Sequence, residues 1–417
     1  MKRVVVTGIG VVSPIGNSLR EAWGAAKSGI SGIMPIQKFD ATCMQWGVSG
    51  EVKGFYAETY LAHREIRRLD LFVHYAVAAA VMAAEDAGLT GKPQEVSNTR
   101  ALASAGVIIG SSRGGIGTVE KEMHKLYSSG NAPHGVRTSA YLMPSTTISM
   151  AASYVAQKLG IRGYCLGISN ACASGTNAIG EAFRLIQSGY RYPVLCGGTE
   201  APVCRTCVAG YGSSGALSSV RNAAASRPFD RTRDGFVLAE GSCILVLEDL
   251  HHAVKRGARI YGEVTGYGNT TDAFHQTMPS SEGEARAITM AIRQAKLQPS
   301  DIHLINAHGT STPLGDKTET EAIKLSLGRL AYRVPVTSVK SLTGHMLAAS
   351  GALEAAFTLM SMNEGIITPT INLQERDPEC DLDYVTEPRK TGIVHAISHS
   401  FGFGGLNAVL VFRQRDS

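Results

Sequence analysis

The stretch Ile168-Ser169-Asn170-Ala171-Cys172-Ala173-Ser174-Gly175-Thr176 decides how the chain is read. A short apolar segment ends in Asn-Ala, a cysteine follows at once, and apolar residues then recur at Ile179, Ala182, Phe183 and Ile186, the spacing of a helix. Strand, sharp turn and helix in that order place Cys172 at a helix start. There the dipole favours thiolate, which predicts a pKa below the free value of about 8.5 and a nucleophile. Unpaired N–H groups at the same helix start can hold an oxyanion. The same cysteine can also be read as a small buried hydrophobe.

Outward from this point, strand and helix signals alternate. Val4 to Thr7 reads as a buried strand, Leu71 to Ala87 as an alanine-rich helix, Val107 to Gly110 as a strand ending in glycine, and Met143 to Leu159 as a helix. Val194 to Leu195 and Ile244 to Leu247 add short strands, so the class is α/β with a buried sheet. An internal echo accompanies them. Arg3-Val4-Val5-Val6-Thr7-Gly8 is followed by a strand ending in Asn170-Ala171-Cys172. Arg259-Ile260-Tyr261-Gly262-Glu263-Val264-Thr265-Gly266 is followed by one ending in Asn306-Ala307-His308. Duplicated halves, divided as 1–257 and 258–417, put a nucleophile type and an acid/base type at equivalent strand ends.

Composition bounds the function. The 417 residues are 44% hydrophobic, enough for two packed halves and too much for a small binding module. Charged residues make up only 18% and the net charge is +5, so neither disorder nor a nucleic-acid surface is expected. Glycine, at 46 of 417, exceeds the usual share of about 7%, which points to close backbone packing. Eight scattered cysteines favour a reducing compartment. The Cys204–Cys207 pair has no second ligand pair, so no metal is expected. Gly8 and Gly10 interrupt the first apolar run too early for a signal peptide, and the Ala76–Ala84 run is too short to span a membrane. A cytoplasmic protein is expected.

Three further segments carry chemistry. His308-Gly309-Thr310-Ser311-Thr312-Pro313-Leu314-Gly315-Asp316 is a glycine-bounded loop after a strand. Ser338-Val339-Lys340-Ser341-Leu342-Thr343-Gly344-His345 runs from a strand into a turn, then into a helix from Met346 to Met360 that carries Glu354. Single histidines are commonly structural; two of them with a lysine at strand ends, beside a cysteine elbow, fit nucleophilic acyl chemistry. Phe401-Gly402-Phe403-Gly404-Gly405-Leu406-Asn407 reads either as a backbone that approaches a ligand while its rings gate a cavity, or as a turn packing two aromatics.

These four segments, in this order, resemble the β-ketoacyl-acyl carrier protein synthases, elongating type similar to synthase II. Arg227-Pro228-Phe229-Asp230 and Asp234-Gly235-Phe236 add to the likeness, which covers essentially the whole chain. The resemblance implies a thiolase fold, five layers αβαβα from two similar halves, in a homodimer. It implies Cys172 as acyl acceptor, with the Cys172 and Phe403 N–H groups as oxyanion hole and Phe403 as gate. His308 and His345 would stabilise the enolate left by malonyl decarboxylation, oriented by Lys340 paired with Glu354. Thr310, Thr312, Phe401 and Arg113 would contact substrate. No cofactor is implied. The partner is acyl carrier protein, expected as a separate molecule that docks on Arg64, Arg67 and Arg68; nucleic acid and membrane are not expected partners.

The chain departs from the family pattern at Asn170, Asn177 and Leu406, and most of all at Arg113, where an aliphatic residue usually faces the acyl pocket. Fatty-acid elongation is the first reading. A ketosynthase of a specialised polyketide or polyene pathway is the alternative. A noncatalytic partner subunit is opposed by the joint presence of Cys172, His308, His345 and Lys340.

Overall fold

The structure, a computed structural model, describes residues 2–90, 102–128 and 137–415. Its main sheet has ten strands: β1 (Val4–Val12), β2 (Gly106–Gly110), β3 (Cys165–Ile168), β4 (Val194–Glu200), β5 (Gly241–Asp249), β6 (Gly262–Thr271), β7 (Leu304–Asn306), β8 (Val336–Thr337), β9 (His395–Gly402) and β10 (Leu406–Arg413). From the centre outward the first five run β1-β5-β4-β2-β3 and the second five β6-β10-β9-β7-β8. Numbered within each set, both orders are 1-5-4-2-3. In each set the two inner pairings are antiparallel and the two outer ones parallel. The sets join where Val4–Val6 of β1 pair antiparallel with Gly262–Val264 of β6. The echo in the sequence is therefore a repeat of topology.

Helices fill three layers. α1 (Leu71–Asp86) and α2 (Met150–Leu159) cover the outer face of the first set, and α4 (Ser281–Gln294) and α5 (Pro313–Leu327) that of the second. Between the sets lie α3 (Ser174–Gln187) and α6 (Ser350–Glu364), whose apolar residues share one core with β1, β5, β6 and β10. This is the five-layered thiolase fold. α6 is buried without a break from Ser350 to Met362, as a helix walled on all sides must be.

Glycine and alanine set the layer spacing. A methyl group on Gly8 or Gly10 would lie 2.2 Å from the Ala83 carbonyl oxygen or 1.9 Å from that of Ala79. On Gly266 and Gly268 it would lie 2.2 Å from the Ala291 oxygen and 2.0 Å from that of Ala287. The paired Thr-Gly steps at Thr7-Gly8 and Thr265-Gly266 are thus equivalent sites of strand-on-helix contact.

Two helices differ from expectation. The 143–159 segment breaks into Leu142–Thr146 and α2, because Thr146 and Thr147 turn their hydroxyls back onto the Leu142 and Met143 carbonyls and Thr147 is extended. The helix expected from Met346 begins as a tight turn, Leu347–Ala349, with Leu347 left-handed at φ 46°, and becomes α-helical only at Ser350. Among the described residues no helix is long and apolar enough to cross a membrane.

Gly268→Val should destabilise the fold by about 1–3 kcal/mol, the usual cost of overpacking. Gly24→Ala, in open space on a helix, should be neutral or stabilising. Urea unfolding of both variants checks this; coincident midpoints would contradict the packing argument.

Candidate active site

Cys172 lies on an elbow between β3 and α3. The turn is held by Ser174, whose hydroxyl donates to the Ala171 carbonyl at 2.6 Å and accepts from the Asn170 N–H at 2.8 Å. Ala171 is left-handed, at φ 47°, a strained conformation for a residue with a side chain. α3 starts at Ser174, so Cys172 precedes the helix instead of opening it. The expected lowering of its pKa is not found. Burial pushes the Cys172 thiol up to about 12, against the pull of Lys340, Arg113 and the Phe403 N–H. The low-dielectric surroundings outweigh the helix end, and the resting group is a thiol.

His345 faces this sulfur, its Nε2 3.0 Å from Cys172 Sγ. The backbone at His345 is clamped on both sides: its N–H donates to the Val237 carbonyl at 2.7 Å, and its carbonyl accepts from Ala239 N–H at 3.0 Å. The His308 ring is 5.2 Å from that of His345, edge to face. Lys340 is buried in an ion pair with Glu354. Burial first, then the Lys340 charge, hold the pKa of both histidines well below the ordinary value, so both are neutral. Burial raises Glu354 to about 7 while Lys340 opposes the rise. Two neutral imidazoles beside a fixed cation can each present one N–H to developing negative charge.

Glu319 escaped the sequence reading. It lies on α5, fully within the fold, and its carboxylate accepts from His308 N–H at 2.8 Å and Gly309 N–H at 2.7 Å while facing His399 Nδ1 at 2.9 Å. Its position one helical turn after Asp316 was the available signal. Asp316 itself accepts from the Phe229 and Ser311 N–H groups, which ties the Arg227–Asp230 segment to the His308 loop.

A cavity of about 410 Å³ opens onto Cys172, His308 and His345. Thr310, Thr312, Phe401 and Phe403 line it. Met278 and Leu314 are exposed on its walls. Gly402 passes close to the elbow, where a methyl group would lie 3.1 Å from the Cys172 nitrogen, and this approach brings the Phe403 N–H onto the Cys172 sulfur. The Phe403 ring is partly exposed, 6.4 Å from Tyr211. Buried Glu284, also on the wall, was not anticipated; burial, with Glu319 and Asp272 near it, raises its pKa well above the ordinary value.

Arg113 is not on this cavity wall. Tyr211 is, and Arg113 Nε donates to Tyr211 Oη at 2.8 Å, its guanidinium lying over the Tyr211 ring and its backbone N–H donating to buried Glu200. Arg64, Arg67 and Arg68 are all exposed, and none is in a salt bridge among the described residues. Of their acidic neighbours, Glu65 accepts from Tyr154 and Asp70 is turned inward to Thr118. Cys204 and Cys207 are both buried and unbridged.

A duplicated thiolase fold whose first half ends a strand in an elbow cysteine defines the class, the acyl-transferring enzymes of the thiolase type. Within it, the domains described as "Beta-ketoacyl synthase, N-terminal domain" and "Beta-ketoacyl synthase, C-terminal domain" match residues 1–253 and 261–374, and the chain belongs to the β-ketoacyl synthase family. It is 46% identical to the 3-oxoacyl-[acyl-carrier-protein] synthase 2 of Synechocystis sp. over 419 residues, 99% of this chain and 98% of that one. The enzyme of the same name from Staphylococcus aureus (strain COL) is 43% identical over 417 residues, 99% and 98% of the two chains. Among solved structures, the ishigamide ketosynthase/chain length factor superposes with a TM-score of 0.92 at 34% identity. A β-ketoacyl synthase from Burkholderia phymatum STM815 does so with 0.91 at 34%; both likenesses cover 100% of each chain.

With its thiol raised by burial, Cys172 should react with iodoacetamide slowly at neutral pH and faster as pH climbs, without a plateau where free cysteines titrate. Mass spectrometry of the labelled peptide across pH reads this. A plateau below neutrality would mean that the helix end prevails after all.

Proposed function

We propose that this chain is an elongating 3-oxoacyl-[acyl-carrier-protein] synthase, joining an acyl group held on Cys172 to a malonyl group on acyl carrier protein with release of carbon dioxide. The supporting observation is the pairing of His345 Nε2 with Cys172 Sγ at 3.0 Å, with His308 beside it on the same cavity. In the first half-reaction the Cys172 sulfur, its proton lost as the acyl group arrives, attacks the acyl thioester carbonyl. The oxyanion is held by the Cys172 and Phe403 N–H groups, and the carrier thiol leaves with a proton. In the second, the malonyl thioester oxygen accepts hydrogen bonds from His308 and His345. The bond to the carboxylate breaks, carbon dioxide departs, and the electron pair stays as an enolate. Its carbon attacks the acyl-cysteine carbonyl, the C–S bond breaks, and the departing Cys172 thiolate takes a proton from solvent, which regenerates the thiol. Burial, together with the charge of Lys340 fixed by Glu354, keeps both imidazoles neutral, each with one N–H to donate.

The same reading includes carrier docking on exposed Arg64, Arg67 and Arg68, since carriers of this kind are acidic. It also includes a homodimer, two halves divided at residues 257 and 258, and a cytoplasmic site of action in keeping with eight unbridged cysteines. Cys172→Ala should carry no acyl mass after incubation with acyl carrier protein, and acylation of another cysteine would refute the assignment. His308→Ala and His345→Ala should each slow carbon dioxide release on the order of 10²-fold with Cys172 acylation largely kept. Because both pKa values are lowered, wild-type release should hold its rate as pH falls through the ordinary histidine value of 6.5.

A specialised polyketide or polyene ketosynthase is the second reading, favoured by the Arg113–Tyr211 pair beside Cys172 and by the likeness to the ishigamide ketosynthase/chain length factor. Arg113 reaches that side of the cavity only through Tyr211, which lines the wall and whose hydroxyl it holds. Arg113→Ile should gain on long saturated acyl carriers in a graded-length series; identical length profiles would remove this role.

A further inference from the structure

Ser350 opens α6 and is buried, five residues after His345. The left-handed Leu347 turns the chain so that its Oγ lies 3.1 Å from His345 Nδ1 and 2.9 Å from the Met346 nitrogen. A hydroxyl has one proton and two lone pairs, and an amide can only donate, so Met346 N–H occupies one lone pair. Among the described residues Ser350 Oγ has no other hydrogen-bond partner. If Nδ1 carried the imidazole proton it would donate to Oγ, and the hydroxyl proton would be left buried with no acceptor. With the proton on Nε2, Oγ–H donates to Nδ1 and Nε2–H to the Cys172 sulfur, and the only donor left without an acceptor is the weak S–H, far cheaper to strand than a hydroxyl. Buried polar groups overwhelmingly take the satisfied arrangement.

We propose that Ser350 is a positioning residue that donates to His345 Nδ1 and so fixes the proton on Nε2, the nitrogen that faces Cys172. His345 then enters the reaction as a donor and not as the base that deprotonates the thiol. The same N–H that rests against sulfur is available to the malonyl thioester oxygen once Cys172 is acylated. The edge-on Phe236 ring, 5.3 Å from the imidazole, limits its rotation from the side. This inference rests on the reading of His345 as an enolate-stabilising donor.

The test uses full-length enzyme labelled with [15N]histidine, the His345 signals being those that vanish in His345→Ala. Wild type should show one tautomer, protonated at Nε2. Ser350→Ala should show a mixture, with carbon dioxide release down roughly tenfold, the loss expected for one net hydrogen bond, and with Cys172 acylation and the KM for malonyl carrier unchanged. Ser350→Thr, which keeps the hydroxyl, should restore both the tautomer and the rate. A wild-type proton on Nδ1 overturns the proposal, as does a Ser350→Ala enzyme with the wild-type tautomer and rate. Equal losses in Ser350→Ala and Ser350→Thr also overturn it, by making the role one of packing. If His345→Ala releases carbon dioxide at the wild-type rate, the malonyl role of His345 falls, while the tautomer assignment is still read directly from the spectrum.

Discussion

The Ala348 carbonyl oxygen is the contact on which the site depends. It lies against two glycines, and a methyl group on Gly175 or Gly198 would come within 2.2 or 2.1 Å of it. Gly175 belongs to the first turn of the helix after Cys172, and Ala348 to the tight turn after His345. Only hydrogen at both positions lets the two halves of the fold close to this distance. The 3.0 Å contact between Cys172 and His345 follows from backbone packing, with no direct link between the two side chains needed to create it. A third glycine, Gly351, meets Thr176 and Ser400 in the same seam.

Electrostatics then determines what those side chains can do. Burying an ion pair such as Lys340–Glu354 gains little stability over apolar residues of the same volume, because desolvation offsets the attraction. Its consequence is local. Burial, aided by a cation that cannot leave, holds two imidazoles in their neutral, donating form, and the same burial raises the Cys172 thiol. Glu319 serves the neighbouring loop differently, by accepting two backbone N–H groups and so fixing where the His308 side chain starts. Acyl transfer and decarboxylation can therefore share one cavity, with the Phe403 turn, whose Gly404 and Gly405 are left-handed, on its border.

The sequence by itself determined the elements that local chemistry dictates. The strand, turn and helix around Cys172, the repeated Thr-Gly steps, and the four ordered motifs specify duplicated α/β halves and single out the candidate side chains, because periodicity and glycine placement act over a few residues. What lies between distant segments was decided only by tertiary structure. Met346 reads as helical, yet pairing of His345 with Val237 and Ala239 forces a left-handed Leu347 and delays the helix to Ser350. The helix-end argument for an acidic Cys172 was sound as local chemistry and lost to desolvation, a property of every layer packed around the sulfur. Glu319 and Ser350 are ordinary residues in the sequence; their roles arise from the atoms that folding brings within 3.1 Å of them, and burial is what makes each unmet hydrogen bond costly enough to matter.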